Sequence, residues 1–348
     1  MIESKTKQKK RPSMQDVANL AGVSRTTVSF VLNKVESANI PTETQDRVLA
    51  AAKELNYRRN ALASGLRSQK THTIGFVSDV IASTPYAGRV VQGAQERAWE
   101  ENYLLLLVNT GNNQAMKKTA VETLLDRQVD GIIYATMYHR EVHPPASIRE
   151  VPTVLLDCFV ADQALPSVVP DEVLGGYTAT NYLIQQGHRK IAFICDAVKV
   201  PAHVGRLAGY KKALAEAEIP FDADLVAFGV TTQQGGRDLT RKLFAHPDRP
   251  TALFCYNDRM AMGAYDALHA LNLSIPNDVA VIGFDDQDLI AADLDPGLTT
   301  MALPHYDMGS WAVNHLLELI SRRQNGTEQA SKPKQQMLEC PFIKRNSA

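Results

Sequence analysis

The sequence predicts an N-terminal all-α helix-turn-helix head, a short hinge helix, and an α/β core of two subdomains with parallel sheets. Three observations carry this. The 348 residues exceed what one ordinary core holds, so two or three domains are expected. Near the N-terminus, two short amphipathic segments flank a tight turn at Gly22. From Thr73 onward, short apolar runs alternate with amphipathic segments, the pattern of parallel strands and their crossover helices.

Charge divides along the same line. Residues 1–70 hold 13 Lys+Arg against 6 Asp+Glu, and the remaining 278 hold 24 against 32. A basic head on an acidic body suits a phosphate-binding module attached to something else. A solvated basic tail accounts for Lys5 to Arg11 but not for the organised segment that follows. Cys158, Cys195, Cys255 and Cys340 are far apart, with no metal spacing and no C-x-x-C pattern. They read as buried free thiols in a reducing compartment. The start of the chain is charged and lacks a signal-like apolar stretch, and the longest apolar run, Tyr103 to Val108, is too short to cross a bilayer. A cytoplasmic protein with no membrane partner, no cofactor and no metal is expected.

In the head, Ser13 caps a first helix, with Asp16 three residues on as a variant capping box. Val17, Leu20 and Ala21 fall at helical spacing and are expected to face inward. Gly22 supplies the backbone freedom for a sharp turn. Ser24 caps a second helix to about Leu32, whose apolar face is Val28, Val31 and Leu32. Arg25, Thr26 and Ser29 are left outward, as in a recognition helix laid in a DNA major groove. Arg25 has the geometry to bond a guanine edge bidentately, worth about 1–3 kcal/mol of discrimination. The hydroxyls of Ser24, Thr27 and Ser29 and the amide of Asn33 are within reach of phosphates or bases. A third helix, Glu43 to Asn56, starts at Pro41 or Thr42 and closes the core with Val48, Ala51, Ala52 and Leu55.

Asn60 to Leu66 forms the hinge. Asn60 is its N-cap, but a helix this short is marginal in water, and Gly65 weakens it by roughly 1 kcal/mol more. From the residues alone, a flexible linker with Leu66 tucked against the body serves equally well.

In the body, Ile74 to Val77, Leu104 to Val108, Gly131 to Ala135 and Val154 to Leu156 read as buried strands. Arg89 to Glu101 and Lys117 to Arg127 are the helices between them. A second series follows, with strands at Ile191 to Cys195, Leu225 to Phe228, Ala252 to Cys255 and Val279 to Phe284. Its helices are Gly209 to Ala217, Gly235 to Phe244 and Asp258 to Leu271. Gln336 to Ile343 is a last strand-like run. Ligands of open α/β sheets bind beyond the carboxyl ends of the strands. That singles out Asp79, Asp157, Asn257, Asp258, Asp285 and Asp286, with Arg206 opening a helix after a loop. Carboxylates, an amide and a guanidinium facing one crevice hold a polyhydroxylated ligand, and Tyr86, Phe159, Tyr256 and Phe284 offer flat apolar surface. Any single Asp here serves equally as a cap, and Asn257-Asp258 fits the cap of its own helix.

Asp16-Val17-Ala18, Ser24-x-x-Thr27-Val28-Ser29, Val31-Leu32-Asn33 and Val48-x-x-Ala51-Ala52-x-x-Leu55-Asn56-Tyr57 together resemble the headpiece of the LacI/GalR (lactose-repressor) family. The resemblance continues through Pro85-Tyr86, Asp157, Gly205-Arg206-x-x-Gly209-Tyr210, Asn257-Asp258, Gly283-Phe284-Asp285-Asp286 and Leu298-Thr299-Thr300. It implies a core like the type I periplasmic sugar-binding proteins. It implies that Arg25, Thr26 and Ser29 read bases and that Ser24, Asn33 and Tyr57 contact the DNA backbone, with Thr27 a further DNA contact. Asn60, Ala63 and Leu66 become minor-groove contacts of the hinge, with Leu66 wedged between base steps. Tyr86, Asp157, Arg206, Asn257, Asp285 and His305 become effector contacts, His305 standing where relatives place an aromatic ring. The chain departs from the family pattern at Phe30, where a better-known member reads a base with Arg, and at Arg59, where many members have Pro.

The implied boundaries are 12–58 for the headpiece, 59–70 for the hinge and 71–348 for the core. Within the core, 71–170 with 301–331 and 171–300 with 332–348 form the two subdomains. The implied function is a sequence-specific repressor that binds a palindromic operator as a homodimer. Its affinity is set by a small molecule in the cleft, either a sugar or a purine-type ligand, the sugar being favoured. Two rival functions fit less of the chain: a same-family global regulator with a protein co-effector, and a free sugar-binding protein. Catalysis by Asp285 and Asp286 is disfavoured, because adjacent carboxylates on one chain point apart and no nucleophile accompanies them. His139-Arg140-Glu141-Val142-His143 imitates a zinc motif but has its Glu in the wrong place, and Pro144-Pro145 predicts a loop there.

Overall fold

The computed structural model describes residues 12–33, 35–58, 70–81, 84, 88–111, 113–245, 248–327 and 335–348. The expected hinge contacts Asn60, Ala63 and Leu66, and the expected effector contact Tyr86, lie outside the described residues. The chain divides into two compact units, 1–71 and 72–348.

The first unit contains α1 (Met14–Ala21), α2 (Arg25–Leu32) and α3 (Thr42–Glu54). Ser13 and Asp16 form a complete capping box, with Ser13 N donating to Asp16 Oδ2 at 2.7 Å and Asp16 N to Ser13 Oγ at 3.3 Å. Gly22 ends α1 in the left-handed conformation at φ 64°, where a side chain costs roughly 1–2 kcal/mol. α3 starts after Pro41 without a side-chain cap. Val17, Ala18, Ala21, Val28, Val31, Val48 and Ala51 form the core. Leu20, expected inside, is exposed. The buried stripe is centred between Val17 and Ala18, and at about 100° per residue Leu20 falls just off its edge.

The second unit holds two six-stranded sheets. Sheet one carries β1 (Thr73–Ser78), β2 (Leu104–Asn109), β3 (Gly131–Glu141), β4 (Thr153–Phe159), β5 (Ser167–Pro170) and β11 (Gln335–Leu338), in the order β11-β5-β4-β3-β1-β2. It packs against α4 (Gly88–Glu100), α5 (Gln114–Asp126) and α10 (His305–Gln324). Sheet two carries β6 (Ile191–Asp196), β7 (Val226–Gly229), β8 (Ala252–Cys255), β9 (Ala280–Asp285), β10 (Thr299–Ala302) and β12 (Phe342–Ile343), in the order β12-β10-β9-β8-β6-β7. Its helices are α6 (Glu172–Gln185), α7 (Pro201–Glu216), α8 (Gln233–Leu243) and α9 (Asp258–Ala270). All pairings are parallel except β10 with β12. The inner strands β1, β3, β4, β6, β8 and β9 are largely buried, as a parallel sheet covered on both faces requires, while the edge strands β2, β7, β11 and β12 are partly exposed. All four cysteines are buried and free.

The chain passes between the lobes three times: from β5 to α6, from β10 to α10, and from β11 to β12. Two expected limits move accordingly. The second lobe keeps Met301 and Ala302, which pair with Phe284 and Asp285 of β9. It does not hold 335–338, because β11 extends the first sheet alongside β5. The run read as one strand, Gln336 to Ile343, is therefore two strands in different sheets. Residues 139–141, expected in a loop, continue β3. A register shift after Ala135 lets Arg140 and Glu141 pair with Cys158 and Phe159 of β4.

Candidate functional site

The carboxyl ends of β3, β4, β8 and β9 and the starts of α6 and α7 bring the expected cleft residues together. Arg206, buried on α7, anchors the wall of the second lobe. Its Nε donates to Glu172 Oε2 at 2.7 Å and its Nη2 to Glu172 Oε1 at 3.3 Å. Its Nη1 bonds the Tyr256 carbonyl and lies 3.6 Å from Asp285 Oδ1. The guanidinium also sits over two rings, 3.6 Å from the Phe284 centroid and 4.5 Å from that of Tyr256, where cation–π attraction adds to the ion pair. Burial opposes the charge, but Glu172 and Asp285 hold Arg206 protonated.

Two close glycine contacts set this geometry. α6 crosses α7 so closely that a Cβ on Gly176 would sit 2.3 Å from the Arg206 carbonyl oxygen, and one on Gly209 would sit 2.2 Å from that of Val173. Only glycine permits that approach.

Asp285 ends β9 at φ 110°, followed by Asp286 at φ 52°. Asp157 lies near the end of β4, two residues before its last residue Phe159, at φ 55°. Non-glycine residues held at positive φ cost of order 1–3 kcal/mol each and cluster at ligand sites. Burial raises the Asp285 carboxyl to about 6, against the opposing pull of Arg206 and of Gln287, whose Nε2 donates to Oδ2 at 3.0 Å. Asp286 turns away to Arg345 at 2.7 Å, so the adjacent carboxylates do point apart.

The first lobe contributes a differently satisfied wall. Asp79 is buried and bound by Arg140 Nη2 at 2.5 Å and by the Met137 amide at 3.1 Å. Asp157 is 6% exposed, and its Oδ1 is buried with no hydrogen-bond partner. Burial, then Glu172, pushes its carboxyl well above the usual range. Both ring nitrogens of His139 are likewise buried and unpartnered, and its ring meets Phe159 edge-on at 5.5 Å. Burial lowers the His139 pKa while Glu172 raises it.

Other expected contacts have structural duties. Asn257 caps α9, its Oδ1 accepting the Met260 amide at 2.9 Å, which leaves only its amide group, 3.5 Å from the Thr231 carbonyl, for a ligand. Asp258 is fully buried, accepting from Gln287 N and Thr300 Oγ1 at 2.7 Å each. His305 is buried at the start of α10, just past the β10 crossover. Sequence reasoning missed Glu172 and His139. Pro170-Asp171-Glu172 after an apolar run was a readable strand-to-helix signal, since Asp171 caps α6 through the Leu174 amide at 2.9 Å. His139 had no such cue, because Pro144-Pro145 argued against a strand.

In the headpiece, Arg25 and Thr26 are exposed on α2 and Ser29 is half-buried. Ser24 Oγ accepts the Thr27 amide at 3.0 Å and meets Thr27 Oγ1 at 2.9 Å, so both hydroxyls already serve the helix cap. Asn33 Nδ2 donates to the Ser29 carbonyl at 2.6 Å, and Tyr57 packs on the core. Among the described residues no His, Cys, Asp and Glu cluster suits a metal, and no helix is long and apolar enough to cross a membrane.

A helix-turn-helix reader on the same chain as a two-lobed α/β core with a polar cleft defines a DNA-binding transcriptional regulator with a ligand-binding core, not an enzyme. Residues 13–60 match the family described as bacterial regulatory proteins, lacI family. Residues 71–346 match the periplasmic binding proteins and sugar binding domain of the LacI family. The chain belongs to the LacI family. It is 39% identical to the ribose operon repressor of Escherichia coli (strain K12), over 89% of this chain and 93% of that one. It is 34% identical to the transcriptional repressor PurR of Haemophilus influenzae (strain PittEE), over 92% and 94% respectively. Among solved structures, it resembles the Lac repressor dimer bound to operator and the anti-inducer ONPF, with TM-score 0.77, 28% identity, and 97% and 99% coverage. The regulator CelR in complex with cellobiose gives TM-score 0.66 and 28% identity, covering 97% of this chain and 100% of that one. These relatives make the chain a DNA-binding repressor.

Proposed function

We propose that this repressor binds a twofold-symmetric operator as a homodimer, in the cytoplasm, and that a small sugar in the core cleft sets its operator affinity. The observation that carries the ligand half is the buried set of Arg206 on α7 with Asp285 and Asp157 near the carboxyl ends of strands from the two lobes, beside Phe284 and Tyr256. Carboxylates take paired hydroxyls, and aromatic faces take the apolar side of a sugar ring. A compact sugar of the ribose type fits best, given the 39% identity to a ribose operon repressor. Arg25, Thr26 and Ser29 read the half-site, Ser24, Thr27, Asn33 and Tyr57 hold the backbone, and Asn60, Ala63 and Leu66 engage the minor groove. Tyr86, Asn257 and His305 complete the effector site.

Thermal denaturation of the full chain with a panel of D-ribose, D-xylose, D-glucose, cellobiose and adenine tests the reading. A ligand at 100 times its Kd stabilises the folded state by about 2.7 kcal/mol. D-ribose is expected to raise the midpoint, and Arg206→Ala and Asp285→Ala to abolish the rise. A midpoint that moves only with adenine replaces the sugar by a purine. No movement with any of the five removes the cleft as the sensor.

A further inference from the structure

We propose that the cleft admits an uncharged polyol and rejects its phosphorylated form, and that His139, with Asp157, reads one of the ligand's hydroxyls. This rests on the cleft being the effector site. Two observations carry it further.

The first is charge. Arg206 is the guanidinium at the centre of the site, and it is already shared between Glu172, Asp285 and the Tyr256 carbonyl. Three of its five donor hydrogens bond Glu172 and the Tyr256 carbonyl and Asp285 lies beside it, so an incoming phosphate competes with two buried carboxyl groups to reach it. Of the other nearby cations, Arg140 is bound to Asp79 at 2.5 Å, and Arg259, exposed at the start of α9, acts on Asp285. Asp157 adds a further carboxyl group with no cation bound to it. A dianion entering this wall meets more carboxyl groups than free cations, in a setting where charges act several-fold more strongly than in water.

The second is unfilled hydrogen-bonding capacity. Buried polar side chains are nearly always partnered, and an orphan costs about 1–3 kcal/mol. Here Asp157 Oδ1 and both nitrogens of His139 are orphaned together on the first-lobe wall. They end adjacent strands, since Arg140 and Glu141 pair with Cys158 and Phe159. Both sense the same Glu172 across the cleft. A neutral imidazole offers one donor and one acceptor, and a carboxyl oxygen offers an acceptor. A ligand hydroxyl fits between them, accepting from the imidazole N–H while it donates to the carboxyl oxygen, and the second imidazole nitrogen is left for a neighbouring hydroxyl. A site built to bond a hydroxyl discriminates strongly against ligands that lack it.

Calorimetric titration of the full chain with D-ribose and with D-ribose 5-phosphate tests this, on wild type, His139→Ala and His139→Gln. Wild type is expected to bind D-ribose at least about 100-fold tighter than the phosphate. His139→Ala is expected to weaken D-ribose about 10-fold, a loss of about 1.4 kcal/mol, and His139→Gln to recover part of that. Urea unfolding of each variant, with midpoints within error of wild type, separates contact from misfolding. Equal affinity for sugar and sugar phosphate overturns the charge argument. Unchanged D-ribose affinity in His139→Ala overturns the role of His139 while leaving the effector site standing. If wild type binds none of D-ribose, D-xylose, D-glucose, cellobiose and adenine, the site reading and this inference fall together.

Discussion

The two walls of the cleft use the same residue types and leave them in opposite states. On the second lobe, Arg206, Glu172, Asp285 and Gln287 satisfy one another before any ligand arrives. On the first lobe, Asp157 and His139 end adjacent strands with buried atoms left unpaired. One wall is a prebuilt anchor whose groups hold the fold together. The other stores unspent hydrogen-bonding capacity. The difference teaches that one site holds both groups already committed to the fold and groups left open for a ligand.

The largest effect should come from breaking the anchor. Arg206→Ala leaves Glu172 buried without its partner, and removing one member of a buried ion pair costs about 3–5 kcal/mol. Urea unfolding of the second unit is expected to show that loss. A loss below about 1 kcal/mol would mean the pair is no more than a surface contact. Next is Gly176→Ala, whose new Cβ would lie 2.3 Å from the Arg206 carbonyl oxygen. Forcing α6 from α7 is an overpacking cost of about 1–3 kcal/mol, and the displaced guanidinium should weaken D-ribose binding as well. An alanine variant that binds and unfolds like wild type would show the helices have room to spare.

The smallest effect has the opposite sign. Burial and Glu172 hold the Asp157 carboxyl well above the ordinary range. For a raised carboxyl, the stabilising contribution is full below the unfolded value of about 3.9 and is lost as pH rises through the folded value. Asn imitates the protonated form at every pH. Asp157→Asn is therefore expected to melt above wild type at pH 8, with the gap closing toward pH 4, while losing ligand affinity. A pH-independent gap, or a wild type more stable at pH 8, would place Asp157 among the paired groups of the other wall.

The head was far more legible than the cleft, for a physical reason. Its signals are local: Ser13 and Asp16 three residues apart, Gly22 at a left-handed turn, Ser24 capping α2. Strands β1, β3, β4, β6, β8 and β9 were legible as apolar runs because both faces of a parallel sheet are buried, and the edge strands β2 and β7 were legible by apolar composition although they are partly exposed. α6 was missed because Gly175, Gly176, Thr178 and Thr180 interrupt its pattern, and Gly176 admits α7 while Gly175 admits Phe284, partners that sequence spacing does not reveal. The same holds for Glu172, which matters only because Arg206 comes to lie against it from 34 positions away. Arg206, Asp157 and Asp285 were found by position after a strand or loop. That His139 joins them depends on a register shift in β3 that leaves no mark in composition.

The central claim is that occupancy of the cleft changes how tightly the headpiece holds DNA. The direct measurement is fluorescence anisotropy of a labelled palindromic duplex, selected from a random pool by the full chain, titrated with protein in the presence and absence of saturating D-ribose. Coupling of about 1–3 kcal/mol predicts a shift in Kd of roughly 5- to 150-fold. Superimposable curves, with D-ribose shown by calorimetry to be bound, would contradict the account.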